Sequence, residues 1–212
     1  WTAQGRYADY YERALYNHIL VTQEPKKGML LYFCSLKPGH FHTYSKPYDS
    51  FWCCTGSGLE NHVKYGDSIF FHDDKSLYVN LFIASELTWK TKGLTVRQET
   101  LFPNEPKTRL VVSCEKRLPF AMKIRHPYWV AGPLHVTVNG KKVDAKSQPR
   151  GYLTIDRSWD NGDVVDVALP MKLRLVPMEN SPSKVAIMYG PIVLAGELGR
   201  EGMMPGMQYS AG

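Results

Sequence analysis

Two adjacent cysteines, Cys53 and Cys54, are the residues of this sequence best suited to covalent or metal chemistry. They lie in the stretch "FWCCTGSGLENHVKYGDSIFF", before a Gly-rich turn and a predicted short helix. A disulfide between neighbours would close a strained ring, so we expect both thiols to be free. A cysteine acts as a nucleophile or metal ligand only as thiolate, and the partial positive charge at a helix N-terminus favours that form.

The spacing of the possible metal ligands leaves two alternatives open. Neighbouring thiolates can bind one zinc ion if the backbone turns between them, and they then supply two of its four tetrahedral positions. The spacing matches no standard zinc-finger pattern. The other alternative is two buried, inert cysteines. The candidates for further zinc ligands within the chain are Cys34, His40, His42, Glu60 and His62.

Helix signals follow the two cysteines directly. Ser57 and Glu60 have the spacing of a capping box, which predicts a short helix over about 58–65 that ends at Gly66. The thiols would then lie just ahead of the helix N-terminus. The preceding loop "KPGHFHTYSKPYDS" is polar and aromatic, and loops of this length often carry function.

The first part of the chain also has helical periodicity. Apolar residues recur at helical spacing over 7–20 and predict one broad buried stripe that includes Tyr7 and Leu15. Glu12 falls at the edge of this stripe, whereas Asp9 points the other way. A carboxylate on an apolar face is either a satisfied structural partner or a site residue. The pattern by itself favours the structural alternative.

From Ser68 onward the sequence changes to short, β-branched, often alternating segments, with turn residues about every eight to twelve positions. Asn139-Gly140 and Asn161-Gly162 are typical hairpin turns. This pattern predicts a mostly β chain built as an antiparallel β-sandwich after a helical segment. Cys34 and Cys114 lie in apolar, strand-like contexts and are expected to be buried, and Trp129 and Trp159 are expected to pack in the core.

Composition and charge exclude several classes of protein. The net charge is +6, but Lys and Arg are scattered without a basic run of five, which indicates a solvated surface rather than a nucleic-acid site. No apolar run approaches the roughly 20 residues that cross a bilayer, so no membrane partner is expected. The sequence opens inside a helical pattern without an initiator Met, and we expect an upstream part of the same polypeptide.

Four segments resemble the bacterial β-L-arabinofuranosidases of glycoside hydrolase families 127 and 146. They occur in the family's order, and the Cys-Cys segment is the most specific. The resemblance implies that 1–67 is the end of a catalytic (α/α)6 barrel and that 68–212 is a β-sandwich region. The segments are "RYADYYERALYNHIL", "FWCCTGSGLENHVKYGDSIFF", "WDNGDVVDVALPMKLRLVP" and "KVAIMYGPIVLAGE".

The resemblance implies a retaining glycosidase that releases L-arabinose from plant glycans with a zinc-bound cysteine in place of the usual carboxylate nucleophile. By match to the motif, Cys53 attacks the sugar and binds Zn²⁺, and Cys54 is a second zinc ligand. The match makes Glu12 a substrate contact, with Tyr32 a candidate for the same pocket. The loop residue His42 is a further candidate contact to sugar hydroxyls.

The sequence also departs from the family's pattern. The remaining zinc ligands should come from a Glu-x-Cys motif and the general acid/base should be a Glu, and both are expected upstream of Trp1. A bacterial host with export to the periplasm or outside the cell is expected, with the cytoplasm as the alternative. Two other functions remain open: a non-catalytic carbohydrate-binding or scaffold β-sandwich, and a structural zinc module.

Overall fold

The computed structural model describes residues 3–35, 40–50, 52–197, 199 and 201–202. The helical part contains helix α1 (Gly5–Ala14), a π-helical turn (Leu15–Ile19), a 3-10 turn (Leu20–Thr22), helix α2 (Cys53–His62) and a 3-10 turn (Tyr65–Ser68). A further 3-10 turn, Lys90–Lys92, lies between strands. Among the described residues no helix has the length and apolar character that crossing a membrane requires.

The strands lie between residues 70 and 193. They are β1 (Phe70–His72), β2 (Ser76–Val79), β3 (Ser85–Trp89), β4 (Leu94–Glu99), β5 (Lys107–Cys114), β6 (Leu118–His126), β7 (His135–Val138), β8 (Lys141–Lys142), β9 (Gly151–Trp159), β10 (Val164–Ala168), β11 (Leu173–Met178), β12 (Ser181–Tyr189) and β13 (Ile192–Val193).

Two sheets form the sandwich. One has the order β1-β2-β6-β9 and the other the order β3-β4-β5-β10-β7-β8. The neighbouring strands are antiparallel except β2 and β6, which are parallel. Alternate residues of the longer strands of both sheets enter one shared core, as the sequence pattern predicts. The predicted mostly β fold after a helical segment is therefore confirmed.

The structure confirms one of the two predicted hairpin turns and the predicted burial of the two tryptophans. Asn139 and Gly140 have positive φ angles and join β7 to β8 as a hairpin, as predicted. The prediction for Asn161-Gly162 was wrong in part, because this turn joins β9 and β10, which belong to different sheets. Trp129 and Trp159 are buried, as expected.

Helix α1 buries a different face from the one predicted. Its buried residues are Gly5, Asp9 and Glu12, whereas Tyr7 is 52% exposed. Arg125 of β6 is completely buried and explains this choice of face. Its guanidinium lies 2.5 Å from a carboxylate oxygen of Asp9 and 2.5 Å from one of Glu12. The helix is therefore oriented by a charged partner rather than by its apolar stripe.

Two further contacts hold the helical part against the sheets: a close backbone approach at Gly5 and the hydrogen bonds of the Asn17 side chain. A Cβ at Gly5 would lie 2.6 Å from the carbonyl oxygen of Arg150, so only glycine lets α1 approach β9 this closely. In the π-helical turn, the Asn17 side chain donates to the carbonyl oxygens of Arg13 and Pro191 and accepts from the backbone N–H of Val193. Asn17 thus ties the end of the helix to the third sheet.

The third sheet, of order β11-β12-β13, exposes a row of apolar side chains. Leu173 pairs with Tyr189 and Leu175 pairs with Ile187, so all four lie on the same face. Leu175 is 68% exposed and Ile187 is 48% exposed. Among the described residues this face is not covered.

We expect Arg125→Met to lower the free energy of unfolding by about 3–5 kcal/mol, because it leaves two buried carboxylates without their cation. The measurement is denaturant unfolding of the intact protein. Arg109→Met is the matched control, since Arg109 also pairs with a carboxylate, that of Asp166, but on the exposed sheet surface. Equal losses in the two variants would contradict the structural importance of the buried ion pair.

Candidate functional site

Helix α2 begins at Cys53, earlier than the sequence predicts. Trp52 is the N-terminal capping residue, with an extended backbone, and its carbonyl accepts a hydrogen bond from the N–H of Thr55 at 3.0 Å. Ser57 and Glu60 lie inside the helix, so the predicted capping box was wrong. The two cysteines are the first residues of the helix rather than residues ahead of it. They therefore lie beside backbone N–H groups that have no partner within the helix.

Packing against Leu30 explains why the helix runs through two glycines. A Cβ at Gly58 would lie only 2.8 Å from Leu30 Cδ1, and Leu30 is itself buried. Gly56 has no atom within 4 Å of the corresponding position. Glycine normally disfavours a helix interior, and this close contact is the reason that one is needed at position 58. It also places α2 against the segment that contains Leu30.

The two thiols are close together and partly open to solvent. Cys53 Sγ lies 3.7 Å from Cys54 Sγ, and Cys53 is exposed. The hydrogen bond between the two thiols raises the pKa of Cys54, with further contributions from burial and from the charge of Cys53. Two thiolates at this separation repel each other, so a shared cation is the natural way to ionise both.

The sulfur separation also fits zinc. Two thiolates bound tetrahedrally at about 2.3 Å from one zinc ion are about 3.8 Å apart. The observed 3.7 Å is therefore suited to two positions of a tetrahedral site. Within the described ranges, no group of three or more His, Cys, Asp or Glu side chains is arranged to hold a metal ion. The described residues thus offer at most two of the four ligands of a tetrahedral metal site.

Tyr32 lies next to the start of α2. Its ring centroid is 5.6 Å from that of Trp52, in an edge-to-face arrangement, and the side chain is 41% exposed. Backbone bridges from Gln23 to Leu30 and from Leu31 to Tyr44 hold this segment in place. The structure therefore brings Tyr32 beside the residue that precedes Cys53, while its role in substrate binding stays a prediction.

His42 contacts a cysteine that was expected to be buried. His42 Nε2 lies 3.6 Å from Cys34 Sγ, and its Nδ1 lies 3.3 Å from the Tyr44 hydroxyl. Cys34 is exposed, so that expectation was wrong, whereas Cys114 is buried as predicted. A contact between His42 and a sugar stays a prediction.

Glu12 lies inside the ion pair with Arg125 described above. Its second carboxylate oxygen accepts a hydrogen bond from Trp129 Nε1 at 2.6 Å, and the residue is 1% exposed. Burial raises the pKa of Glu12, and Arg125 acts in the opposite direction. A sugar cannot reach Glu12 in this structure, and the structural alternative accounts for its position.

The remaining candidate zinc ligands from the sequence analysis either have local hydrogen-bond partners or are exposed. His62 Nδ1 bonds to the Tyr65 hydroxyl, and Glu60 is exposed on α2. His40 Nδ1 lies 2.8 Å from the Ser35 hydroxyl. Sequence reasoning missed Arg125 as the partner of Glu12, and the only signal for it was an arginine inside a strand pattern otherwise rich in apolar residues.

Models of one protein family match both parts of the chain. The model described as the catalytic domain of GH127 β-L-arabinofuranosidase matches residues 1–67, and the GH127 middle-domain model matches residues 76–171. The chain belongs to glycoside hydrolase family 127. The helical part with its cysteine pair is thus the portion that matches a catalytic domain. No curated protein sequence matches the chain significantly.

Solved structures agree with the GH127 assignment. A glycoside hydrolase superimposes with a TM-score of 0.77 at 26% identity. A GH127 β-L-arabinofuranosidase from Geobacillus stearothermophilus T6 gives 0.77 at 28% identity, and a GH127 β-arabinofuranosidase gives 0.80 at 28% identity. Each match covers 91% of this chain but only 34%, 33% and 33% of the respective structure. The chain thus spans about a third of these relatives.

Two cavities of this GH127 chain lie away from the thiols. One, of about 930 Å³, is on the six-stranded sheet and is lined by residues that include Arg109 and Asp166. The other, of about 590 Å³, lies between α1 and the first sheet, where Tyr7 and Tyr152 contribute to its lining. Neither cavity is lined by Cys53 or Cys54.

We expect Gly58→Ala to lower the free energy of unfolding by about 1–3 kcal/mol, because the new methyl group would lie 2.8 Å from Cδ1 of the buried Leu30, which would have to shift within its packing. Gly56→Ala is the matched control on the same helix. It should be neutral or stabilising by about 0.5–1 kcal/mol, since alanine is the better helix former. Denaturant unfolding of the intact protein measures both, and a Gly58→Ala variant as stable as Gly56→Ala would contradict the packing argument.

Proposed function

We propose that this chain is the nucleophile-bearing part of a GH127 β-L-arabinofuranosidase and that Cys53 is the nucleophile. The observation that carries the proposal is the placement of Cys53, exposed at the first residue of a helix and 3.7 Å from a second thiol, within the part that matches the catalytic-domain model. A helix start favours thiolate through its partial positive charge. Because the chain spans about a third of its structural relatives, the activity is proposed for the whole protein.

Cys53 and Cys54 are the residues that would hold Zn²⁺. The sulfur separation suits the metal, and the remaining ligands are proposed to lie upstream in the same polypeptide. When bound, zinc keeps the thiolates deprotonated and oriented, at some loss of nucleophilicity.

The reaction we propose for Cys53 is a two-step displacement. Its sulfur attacks the anomeric carbon of an L-arabinofuranosyl group, a C–S bond forms, and the C–O bond to the leaving group breaks. A carboxylic acid from upstream protonates the leaving oxygen. Water, with its proton taken by the same carboxylate, then displaces the sulfur and releases L-arabinose with retained configuration.

Tyr32 is the candidate substrate contact that the geometry supports best, since its half-exposed ring lies beside Trp52 at the start of α2. An exposed aromatic ring offers an apolar face for a sugar and a hydroxyl for hydrogen bonding. His42 is proposed as a contact from the same loop. The substrate class is an arabinose-containing plant glycan, in a bacterial protein of the periplasm or exterior, with the cytoplasm as the alternative.

We expect Cys53→Ser in the full-length protein to reduce release of L-arabinose by about a thousandfold or more, because a hydroxyl is a far weaker nucleophile than a thiolate. Cys114→Ser is the control, since that thiol is buried in the sandwich. Turnover of an aryl β-L-arabinofuranoside measures both variants. Near-normal turnover by Cys53→Ser, or binding of the glycan without any hydrolysis by the parent, would replace the enzyme proposal with a carbohydrate-binding one.

We expect the full-length protein to retain about one zinc ion per chain, and Cys54→Ser to lose most of it, because one of four tetrahedral ligands is removed. Metal analysis after dialysis measures this, again with Cys114→Ser as the control. A chelator should abolish turnover, and added zinc should restore it. Unchanged zinc content in Cys54→Ser, and also in the double variant Cys53→Ser/Cys54→Ser, would rule out the proposed ligands.

A further inference from the structure

A second thiol in the chain has the neighbours of an activated nucleophile. The bridge between Leu31 and Tyr44 and the hydrogen bond from Ser45 N–H to the Leu30 carbonyl, at 2.8 Å, bring the two ends of the loop together. Cys34 and His42 come from opposite sides of this loop. Cys34 Sγ lies 3.6 Å from His42 Nε2, which is within the range of a sulfur hydrogen bond.

The imidazole is held from its other side by a hydroxyl. His42 Nδ1 lies 3.3 Å from the Tyr44 hydroxyl, and the two rings meet edge to face at 89° with centroids 6.0 Å apart. Burial raises the pKa of Tyr44, with smaller contributions from Glu24 and Cys34, so this hydroxyl stays neutral at physiological pH. It can therefore accept a hydrogen bond from Nδ1–H.

The proton positions that follow from this arrangement suit base catalysis. In neutral imidazole one ring nitrogen is a donor and the other an acceptor. When Nδ1–H donates to Tyr44, Nε2 is the acceptor and faces the Cys34 thiol. A nucleophile, a base and a group that orients the base are the three parts of an activated thiol. The exposure of Cys34 makes its sulfur reachable from solvent.

We propose that Cys34 is a second reactive thiol of this protein, a modification site at which His42 removes the thiol proton and small disulfide molecules are attacked. The proton moves from Sγ to His42 Nε2 as the sulfur attacks one sulfur of the disulfide. A new S–S bond to Cys34 forms, the original S–S bond breaks, and the departing thiolate takes the proton back from His42. No net oxidation or reduction occurs, since one disulfide replaces another.

This reactivity does not depend on the glycosidase proposal. It uses residues of the loop before α2 and needs neither Cys53 nor a metal. It distinguishes Cys34 from Cys114, whose Sγ contacts the carbonyl oxygen of Trp159 in the buried core. Cys114 is therefore an internal reference for an unreactive thiol in the same molecule.

The test is the rate at which oxidised glutathione modifies each cysteine of the full-length protein, followed by peptide mass spectrometry. We expect Cys34 to react at least about a hundredfold faster than Cys114, because burial blocks access to the latter. His42→Gln should slow modification of Cys34 by about 10–100-fold, since the base is lost. Tyr44→Phe should slow it several-fold, because the ring loses the hydroxyl that orients it.

His40→Gln is the matched control. His40 belongs to the same loop but contacts the Ser35 hydroxyl rather than Cys34, so its replacement should leave the rate unchanged. Continued protection of Cys114 from oxidised glutathione shows that each variant is folded. If His42→Gln does not fold, the rate measured for Tyr44→Phe tests the proposal instead. The proposal is overturned if His42→Gln reacts as fast as the parent, if His40→Gln slows the reaction equally, or if Cys34 reacts no faster than Cys114.

Discussion

One buried guanidinium, that of Arg125, determines how the helical part of this chain sits on the β-sandwich. Removing charges from water is expensive, and it is tolerated only when each charge keeps a partner. Arg125 therefore selects the face of α1 that carries Asp9 and Glu12. From α1 the chain continues through the 3-10 turn to Leu30, which packs against α2. The position of the two thiols is thus connected, through local packing, to an ion pair on the sandwich.

The sandwich could be predicted from sequence because alternation of β-branched and polar residues directly records which side of a strand is buried. The burial of Trp159 and the hairpin at Asn139 followed from the same local signals. The buried face of α1 could not be predicted, since Glu12 and its partner Arg125 are 113 residues apart. The start of α2 was also missed, because Ser57 and Glu60 have the spacing of a capping box although both lie inside the helix.

The candidate site, too, could be predicted from the sequence only in part. Adjacent cysteines are visible in the sequence, but their suitability for one metal ion rests on a sulfur separation that only the structure supplies. Cys34 and Cys114 have similar apolar neighbours along the chain, and yet one is exposed and the other buried, because one lies in a loop and the other in a strand of the core. Apolar neighbours along the chain therefore do not by themselves show whether a cysteine is buried.

The apolar row of the third sheet has a practical consequence for work with this polypeptide. Side chains such as Leu175 and Ile187 would be uncovered in a preparation limited to these residues. The free energy falls when such surfaces meet and leave water, so molecules of such a preparation will adhere to one another and to column matrices as their concentration rises. A low activity measured with such a preparation would then reflect aggregation rather than the chemistry of the thiols.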